Sequence, residues 1–134
     1  MFLLDTNVCI DFALARSDSL RQRMRDRLPE GLGMSSITYA ELAVGSRNSN
    51  DPEGDLDRLK RLVQIVSVMP FDRPAAEAYG RLARAIGIRR NSFDRLIAAH
   101  SLSLGLTLVT NNEGDFADVP GLKVENWTIR TGSS

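Results

Sequence analysis

Residues 2–7 of the chain read FLLDTN, an apolar run that stops at an acidic residue. The run predicts a short buried strand over Phe2 to Leu4, and Thr6 is a suitable N-cap for an amphipathic helix over Val8 to Ala15. The chain therefore opens with a strand, a tight turn and a helix, and Asp5 lies in the turn.

The same alternation of strand and helix continues along the chain. Further strands are predicted at Leu32 to Ser36, Ile65 to Met69, Leu106 to Thr110 and Leu122 to Val124. Further helices are predicted at Ser17 to Leu28, from a cap at Ser36 or Thr38 to Val44, at Glu53 to Gln64, at Arg73 to Ile86 before Gly87, and at Phe93 to Leu104 between Asn91-Ser92 and Gly105. Strands separated by helices imply an α/β fold, with a central parallel sheet covered by helices on both faces.

Length and composition predict one domain over residues 1–130, followed by a disordered tail at residues 131–134. Seventeen basic residues balance seventeen acidic ones, so charge alone does not indicate a nucleic-acid partner. The single cysteine, Cys9, excludes an internal disulfide and fits a reducing compartment. The early charge at Asp5 argues against a signal peptide or a membrane span at the N-terminus. We therefore expect a cytoplasmic protein.

Four acidic residues are placed where the ends of the predicted strands meet. Asp5 follows the first strand, Glu41 lies about one helical turn after the second, and Asp115 follows the strand that ends at Thr110. Asp94 precedes that strand, but its helix runs antiparallel to it and begins at the same end of the sheet. Because ligands of parallel sheets bind beyond the carboxyl ends of the strands, these four carboxylates can meet in one site.

Gathering these carboxylates has an electrostatic cost. Two unit charges about 4 Å apart repel by roughly 4 kcal/mol at an effective dielectric near 20. Either several of the groups stay protonated or a divalent cation binds between them, and oxygen ligands without a Cys or His cluster favour Mg²⁺ or Mn²⁺. Because Mg²⁺ sites of this kind take further ligands from substrate phosphate, the predicted chemistry is phosphodiester hydrolysis.

The chain resembles the PIN-domain nucleases, and among them the VapC-type toxins of prokaryotic toxin-antitoxin pairs. The resemblance covers essentially the whole chain and rests on five motifs in order: LLDTN at 3–7, SITYAEL at 36–42, FDRLIAAH at 93–100, LVTNN at 108–112 and VPGLKVENW at 119–127. It implies a PIN domain with strand order 3-2-1-4-5, a Mg²⁺ or Mn²⁺ site and endoribonuclease activity on tRNA or rRNA. It also implies a homodimer, neutralisation by a VapB-type antitoxin and a larger hetero-oligomer with that antitoxin.

The resemblance also implies roles for individual residues. Asp5 and Asp94 look like the principal metal-site carboxylates, and Glu41 looks like a further ligand or a group that orients the attacking water. Asp115 is chosen as the fourth acidic residue and a third metal ligand because it precedes Phe116, although Glu113 and Asp118 compete within the same loop. Hydrogen-bond partners that fix the carboxylate rotamers are expected at Thr6, Asn7, Thr110 and Asn112.

Each of these residues also has a plain structural interpretation. Asp5 alone is a common helix cap, while Glu41 and Asp94 could serve only to complement helix dipoles. His100 is expected to pack or to make a single hydrogen bond. Arg89 and Arg90 are either a solvated pair or contacts for RNA phosphate.

Two other α/β families fit poorly. Haloacid-dehalogenase phosphatases need an acidic residue where this chain has Asn7, and response-regulator receivers need a lysine that is missing near the site. The remaining alternative is a catalytically silent PIN-like binding protein. The RNA that is cut, the number of metal ions and the identity of the antitoxin stay open at this point.

Overall fold

The protein was analysed as a computed structural model, which describes residues 1–88 and 92–128. Within them, five strands form one parallel sheet in the order β3-β2-β1-β4-β5. The strands are β1 (Phe2–Leu4), β2 (Leu32–Ser35), β3 (Ser67–Met69), β4 (Thr107–Val109) and β5 (Val124–Glu125). The predicted fold class and strand order are confirmed. β1 has its predicted bounds, and β2, β3 and β4 are each shorter than predicted. β5 is displaced towards the C-terminus from its predicted position at Leu122 to Val124 and shares only Val124 with it.

The helices between the strands lie close to their predicted positions. They are α1 (Thr6–Ala13), α2 (Asp18–Arg27), α3 (Ser36–Arg47), α4 (Pro52–Leu62), α5 (Arg73–Ile86) and α6 (Phe93–Leu104). The predicted bounds of α5 and α6 are confirmed. Both end where a glycine takes positive φ, at Gly87 and Gly105, a backbone conformation that disfavours other residues.

Two predicted helix caps are wrong by one or more residues. Asp5, and not Thr6, caps α1, because its side-chain oxygen accepts the Val8 N–H at 2.9 Å. Ser35, and not Ser36 or Thr38, caps α3 by accepting the Ile37 N–H at 3.1 Å. In both cases the last polar residue of the strand end is itself the cap, so no separate loop divides strand from helix. Glu41 consequently lies in the second turn of α3.

The core is divided between the two faces of the sheet. Alternate residues of β1 point to opposite faces, so that Phe2 and Leu4 join one buried cluster and Leu3 joins the other. The first cluster contains side chains of α1, α2 and α4, and the second contains side chains of α5 and α6. Helices therefore cover both faces, as predicted.

Trp127 fixes the end of the described chain onto the first cluster. Its side chain is fully buried and meets Phe2 edge to face, with ring centroids 5.0 Å apart. Its indole N–H donates to the Glu125 carboxylate at 2.9 Å. This contact holds the C-terminal segment beside β1 and α2.

Three predictions fall on residues outside this description: the RNA-contact role of Arg89 and Arg90, the Asn91 contribution to the α6 cap, and the tail at residues 131–134. Among the residues that are described, no helix combines the length and the apolar character needed to cross a membrane.

Candidate active site

The carboxyl ends of the central strands bring the four predicted carboxylates into one electrostatic cluster. Asp5 directly continues β1, and its backbone N–H donates to the Val109 carbonyl of β4 at 3.0 Å. The negative charge of Asp94 raises the pKa of both Asp5 and Glu41, and the charge of Asp115 raises the pKa of Asp94. Asp94 is therefore the member that is electrostatically linked to each of the other three.

Asp5 is the most buried carboxylate of the cluster, with 4% of its surface exposed. Burial, together with the charges of Asp94 and Asp11, raises its pKa to about 6, while the Thr110 hydroxyl and the Val8 N–H oppose this shift by hydrogen bonding. Asp5 thus caps α1 through one oxygen and still carries an unfavourable buried charge. The cap role and the site role coexist in one side chain.

Glu41 is held by a pair of threonines. The Thr6 hydroxyl donates to Glu41 Oε1 at 2.7 Å, and the Thr38 hydroxyl lies 3.2 Å from that of Thr6. Partial burial raises the pKa of Glu41, the Thr6 hydrogen bond opposes this, and the Asp94 charge raises it further. Because dipole effects fade beyond the first helical turn, the second-turn position of Glu41 weakens the dipole interpretation.

Asp94 is the second residue of α6, so the N-terminal end of that helix stabilises its negative charge. Burial nevertheless raises its pKa, and Asp115 adds to the effect. Within the described residues its side chain makes neither a hydrogen bond nor an ion pair. A half-buried carboxylate of this kind, close to three others, is well suited to bind a cation.

The fourth acidic position can be chosen by contacts among the three candidates. Asp118 forms an ion pair with Arg95 at 3.0 Å and is thereby turned to a different partner. Asp115 accepts a hydrogen bond from Asn112 Nδ2 at 2.6 Å and acts on Asp94 electrostatically. Glu113 makes no side-chain hydrogen bond or ion pair within the described residues. These contacts favour Asp115.

The side chains of the cluster fit an open Mg²⁺ or Mn²⁺ site better than a closed cage. Within residues 1–88 and 92–128, no group of three or more His, Cys, Asp or Glu side chains is placed to hold a metal ion. Mg²⁺ usually binds through one or two carboxylates and keeps several waters, so a closed cage is not required. The donors are all oxygens; burial is the main cause of their raised pKa values, and neighbouring carboxylate charges, which a divalent cation would neutralise, add to it.

Comparison with known proteins identifies this architecture. The PIN domain family model matches residues 2–122. The chain belongs to the PIN-domain family. Curated relatives of this PIN domain include the tRNA(fMet)-specific endonuclease VapC of Shigella flexneri, 36% identical over 131 residues that cover 95% of this chain and 98% of the relative. Ribonuclease VapC1 of Haemophilus influenzae strain R2866 is 32% identical over 132 residues, covering 96% and 98%. This PIN domain therefore belongs with the VapC proteins, whose curated members are named as ribonucleases.

Solved structures show the same fold in complexes. The DNA-bound VapBC of Salmonella typhimurium superposes with a TM-score of 0.85 at 34% identity, covering 94% of this PIN domain and 97% of that chain. VapBC2 of Rickettsia felis, bound to a promoter DNA fragment, also gives a TM-score of 0.85, at 29% identity, covering 94% and 98%. The predicted resemblance is confirmed.

The four supporting residues predicted for this PIN domain differ in their contacts. Thr6 binds Glu41, Thr110 binds Asp5, and the Asn112 side chain binds Asp115. The Asn112 backbone N–H also donates to the Thr110 hydroxyl at 3.0 Å, which joins two of these partners. Asn7 is exposed and makes no side-chain hydrogen bond within the described residues, so its supporting role stays a prediction.

Three polar residues of the site were missed in the sequence. Thr38 precedes Glu41 by three positions, a spacing that places both on one face of α3 and could have indicated that Thr38 lies beside Thr6, the partner of Glu41. Asn111 donates to the Asp11 carboxylate, and Asp11 in turn raises the pKa of Asp5. No local pattern indicates the pairing of Asn111 with Asp11, because it joins residues a hundred positions apart.

His100 has the packing role that was predicted. It is fully buried on α6, its Nδ1 lies 2.8 Å from the Ser35 hydroxyl, and its ring meets Phe71 edge to face. Burial lowers its pKa, against the opposing effect of Asp72. His100 therefore ties α6, which carries Asp94, to the cap of α3, which carries Glu41.

Proposed function

We propose that this PIN domain is a metal-dependent endoribonuclease toxin that uses Mg²⁺ or Mn²⁺ at Asp5, Glu41, Asp94 and Asp115. The observation that supports the proposal is that these carboxylates come from four separate segments and are near enough for the Asp94 charge to raise the pKa of Asp5 and Glu41, and for the Asp115 charge to raise that of Asp94. The VapC ribonuclease relatives support RNA as the substrate.

Asp5, Asp94 and Asp115 would hold the ion, which would neutralise charge on the scissile phosphate and acidify a water. Thr110 and the Val8 N–H fix the rotamer of Asp5, and Asn112 fixes that of Asp115. Glu41, held by Thr6, would orient the water for in-line attack on phosphorus. The proton leaves to solvent, the bond from phosphorus to the 3′-oxygen breaks, and the products carry 5′-phosphate and 3′-hydroxyl ends.

The substrate class that fits this proposal is structured cytoplasmic RNA, tRNA or rRNA. The Shigella flexneri relative is named for tRNA(fMet), which makes an initiator-type tRNA the first substrate to test. The balanced charge of the chain argues that binding depends on local contacts and not on an overall positive field. Arg89 and Arg90 remain candidates for phosphate contact.

A VapB-type antitoxin is the proposed partner, because structural neighbours of this PIN domain are VapBC complexes. A mainly apolar groove of about 240 Å³ lies between α1, α3 and α4, and Cys9, Leu42 and Leu59 line it. Glu41 lies on its wall. An apolar antitoxin segment seated in this groove would therefore lie beside a site carboxylate. The proposed assembly is a toxin homodimer joined by antitoxin into a larger complex.

Cleavage of a purified tRNA and rRNA panel by the isolated chain, with Mg²⁺, with Mn²⁺ and with EDTA, tests the proposal. We expect metal-dependent cuts with 5′-phosphate ends, lost in Asp5→Asn and in Asp94→Asn. Asp51→Asn is the matched control, since Asp51 caps α4 on the exposed surface in the way that Asp5 caps α1. Wild-type rates in either site variant would refute the assignment, and intact RNA under every metal would favour the catalytically silent binding protein.

A further inference from the structure

An ion pair joins α6, which carries Asp94, to the segment that carries Asp115. Arg95, the third residue of α6, is 6% exposed, and its Nη2 donates to Asp118 Oδ2 at 3.0 Å. The two residues are 23 positions apart, whereas pairs such as Arg73 with Glu77 join neighbours on one helix. This pair therefore connects α6 to the segment that follows β4.

That segment, which contains Asp115, has little regular secondary structure. Glu113–Phe116 is a 3₁₀ turn of four residues, and its poorer hydrogen-bond geometry gives little rigidity of its own. Its attachment to the body comes from the buried side chains of Phe116 and Val119 and from the Asp118 ion pair. Because Arg95 directly follows Asp94, one turn of α6 holds both a site carboxylate and the anchor of the segment that bears the opposing one.

Fold stability alone explains this ion pair poorly. The Arg95 Nη1 atom is buried and has no hydrogen-bond partner within the described residues. A buried arginine with an unsatisfied N–H, paired with a carboxylate whose side chain is 47% exposed, is an inefficient way to attach a loop. The attachment does, however, oppose the mutual repulsion of Asp94 and Asp115, which would otherwise drive the segment away from α6.

We propose that Arg95 is a positioning residue: through Asp118 it sets the separation of Asp115 from Asp94, and thereby the affinity of the site for a divalent cation. This inference rests on the proposed function of the carboxylate site. Arg95 itself is too buried to contact RNA, so its influence on cleavage is exerted through Asp115.

Direct Mn²⁺ binding, measured by titration calorimetry on the full chain, tests the role without depending on activity. We expect Asp118→Asn to weaken Mn²⁺ binding roughly tenfold, the scale seen for groups that orient metal ligands. Arg95→Lys should retain part of the affinity, because it keeps the charge but loses the planar fork. Glu77→Gln breaks the exposed Arg73 pair with the same change of charge and should leave Mn²⁺ binding unchanged.

A double substitution separates positioning from stability. Arg95→Met combined with Asp118→Asn removes both charges, so urea unfolding should show a stability near that of the wild type. Its Mn²⁺ affinity should still fall by roughly tenfold. In an Asp115→Asn background the same double substitution should have no further effect on Mn²⁺ binding, because the group that it positions is already lost.

The outcomes distinguish the two proposals. Wild-type Mn²⁺ affinity in the Asp118 and Arg95 variants, with only a change of stability, would refute the positioning role and leave the nuclease site standing. An equal loss of affinity with and without Asp115 would refute it also. Absence of Mn²⁺ binding and of cleavage in the wild-type chain would refute the proposed function, and the positioning role with it.

Discussion

Replacing Asp5 by asparagine should stabilise the metal-free protein at neutral pH while removing its nuclease activity. Asp5 is almost fully buried, and burial raises its pKa from 3.8 to about 6. A carboxyl whose pKa is higher in the folded than in the unfolded state destabilises the fold when it is ionised. The difference corresponds to about 3 kcal/mol at pH 7.5, at about 1.4 kcal/mol for each pH unit.

The pH dependence distinguishes this cause from a change in packing. The penalty is fully present above pH 6, declines as the pH falls from about 6 towards 3.8, and is only about 0.5 kcal/mol at pH 4. The stabilisation by Asp5→Asn should follow the same course. Asparagine caps helices about as well as aspartate, so the cap on α1 is retained and only the loss of charge-assisted hydrogen bonds reduces the gain, to about 1–3 kcal/mol.

Urea unfolding with EDTA at pH 7.5 and at pH 4 measures the effect. With a slope of about 1–3 kcal/mol/M, the midpoint at pH 7.5 should rise by roughly 1 M in Asp5→Asn, and the shift should largely vanish at pH 4. Asp51→Asn, the exposed cap variant, should change little at either pH. An Asp5→Asn protein that is destabilised at pH 7.5, or equally stabilised at both pH values, would refute the electrostatic reasoning.

Three further predictions concern other parts of the molecule. Thr6→Val removes the 2.7 Å hydrogen bond to Glu41 and should lower kcat about tenfold with a normal unfolding midpoint; an unchanged kcat would contradict the role given to Glu41. Trp127→Ala should cost about 3–5 kcal/mol in urea unfolding, because it empties a fully buried site against Phe2, and a loss below 1 kcal/mol would argue that the C-terminal segment is dispensable. Burial raises the pKa of the Cys9 thiol, so a thiol reagent at pH 8 should modify it only after unfolding, and rapid reaction of the native chain would contradict its burial.

Local sequence signals predicted the ends of helices correctly where a glycine governs the backbone conformation. Gly87 and Gly105 end α5 and α6 at positive φ, and both ends were predicted at the observed residues. The predicted caps of α1 and α3 were wrong by one or more residues because each strand runs directly into the helix that follows it. A polar residue that ends a strand and caps a helix at once cannot be assigned from periodicity alone.

The choice of the fourth carboxylate among three acidic residues depends on tertiary contacts. Glu113, Asp115 and Asp118 lie within six positions, and a 3₁₀ turn has no apolar periodicity that would indicate which side chain points to the site. The ion pair of Asp118 with Arg95, on a helix 23 positions away, favours Asp115 over Asp118, and the choice stays a prediction. The resemblance to the PIN-domain family favoured Asp115 because it directly precedes Phe116. The contacts of Asp115 and Asp118 are consistent with that choice.

The electrostatics of the site connect its chemistry to the stability of the fold. Burial raises the pKa of Asp5, Glu41 and Asp94 alike, so each of them, when ionised, opposes folding of the metal-free chain. The N-termini of α1 and α6 offset part of this cost at Asp5 and Asp94. A divalent cation that binds to the cluster would neutralise these charges, so it should stabilise the fold as it binds.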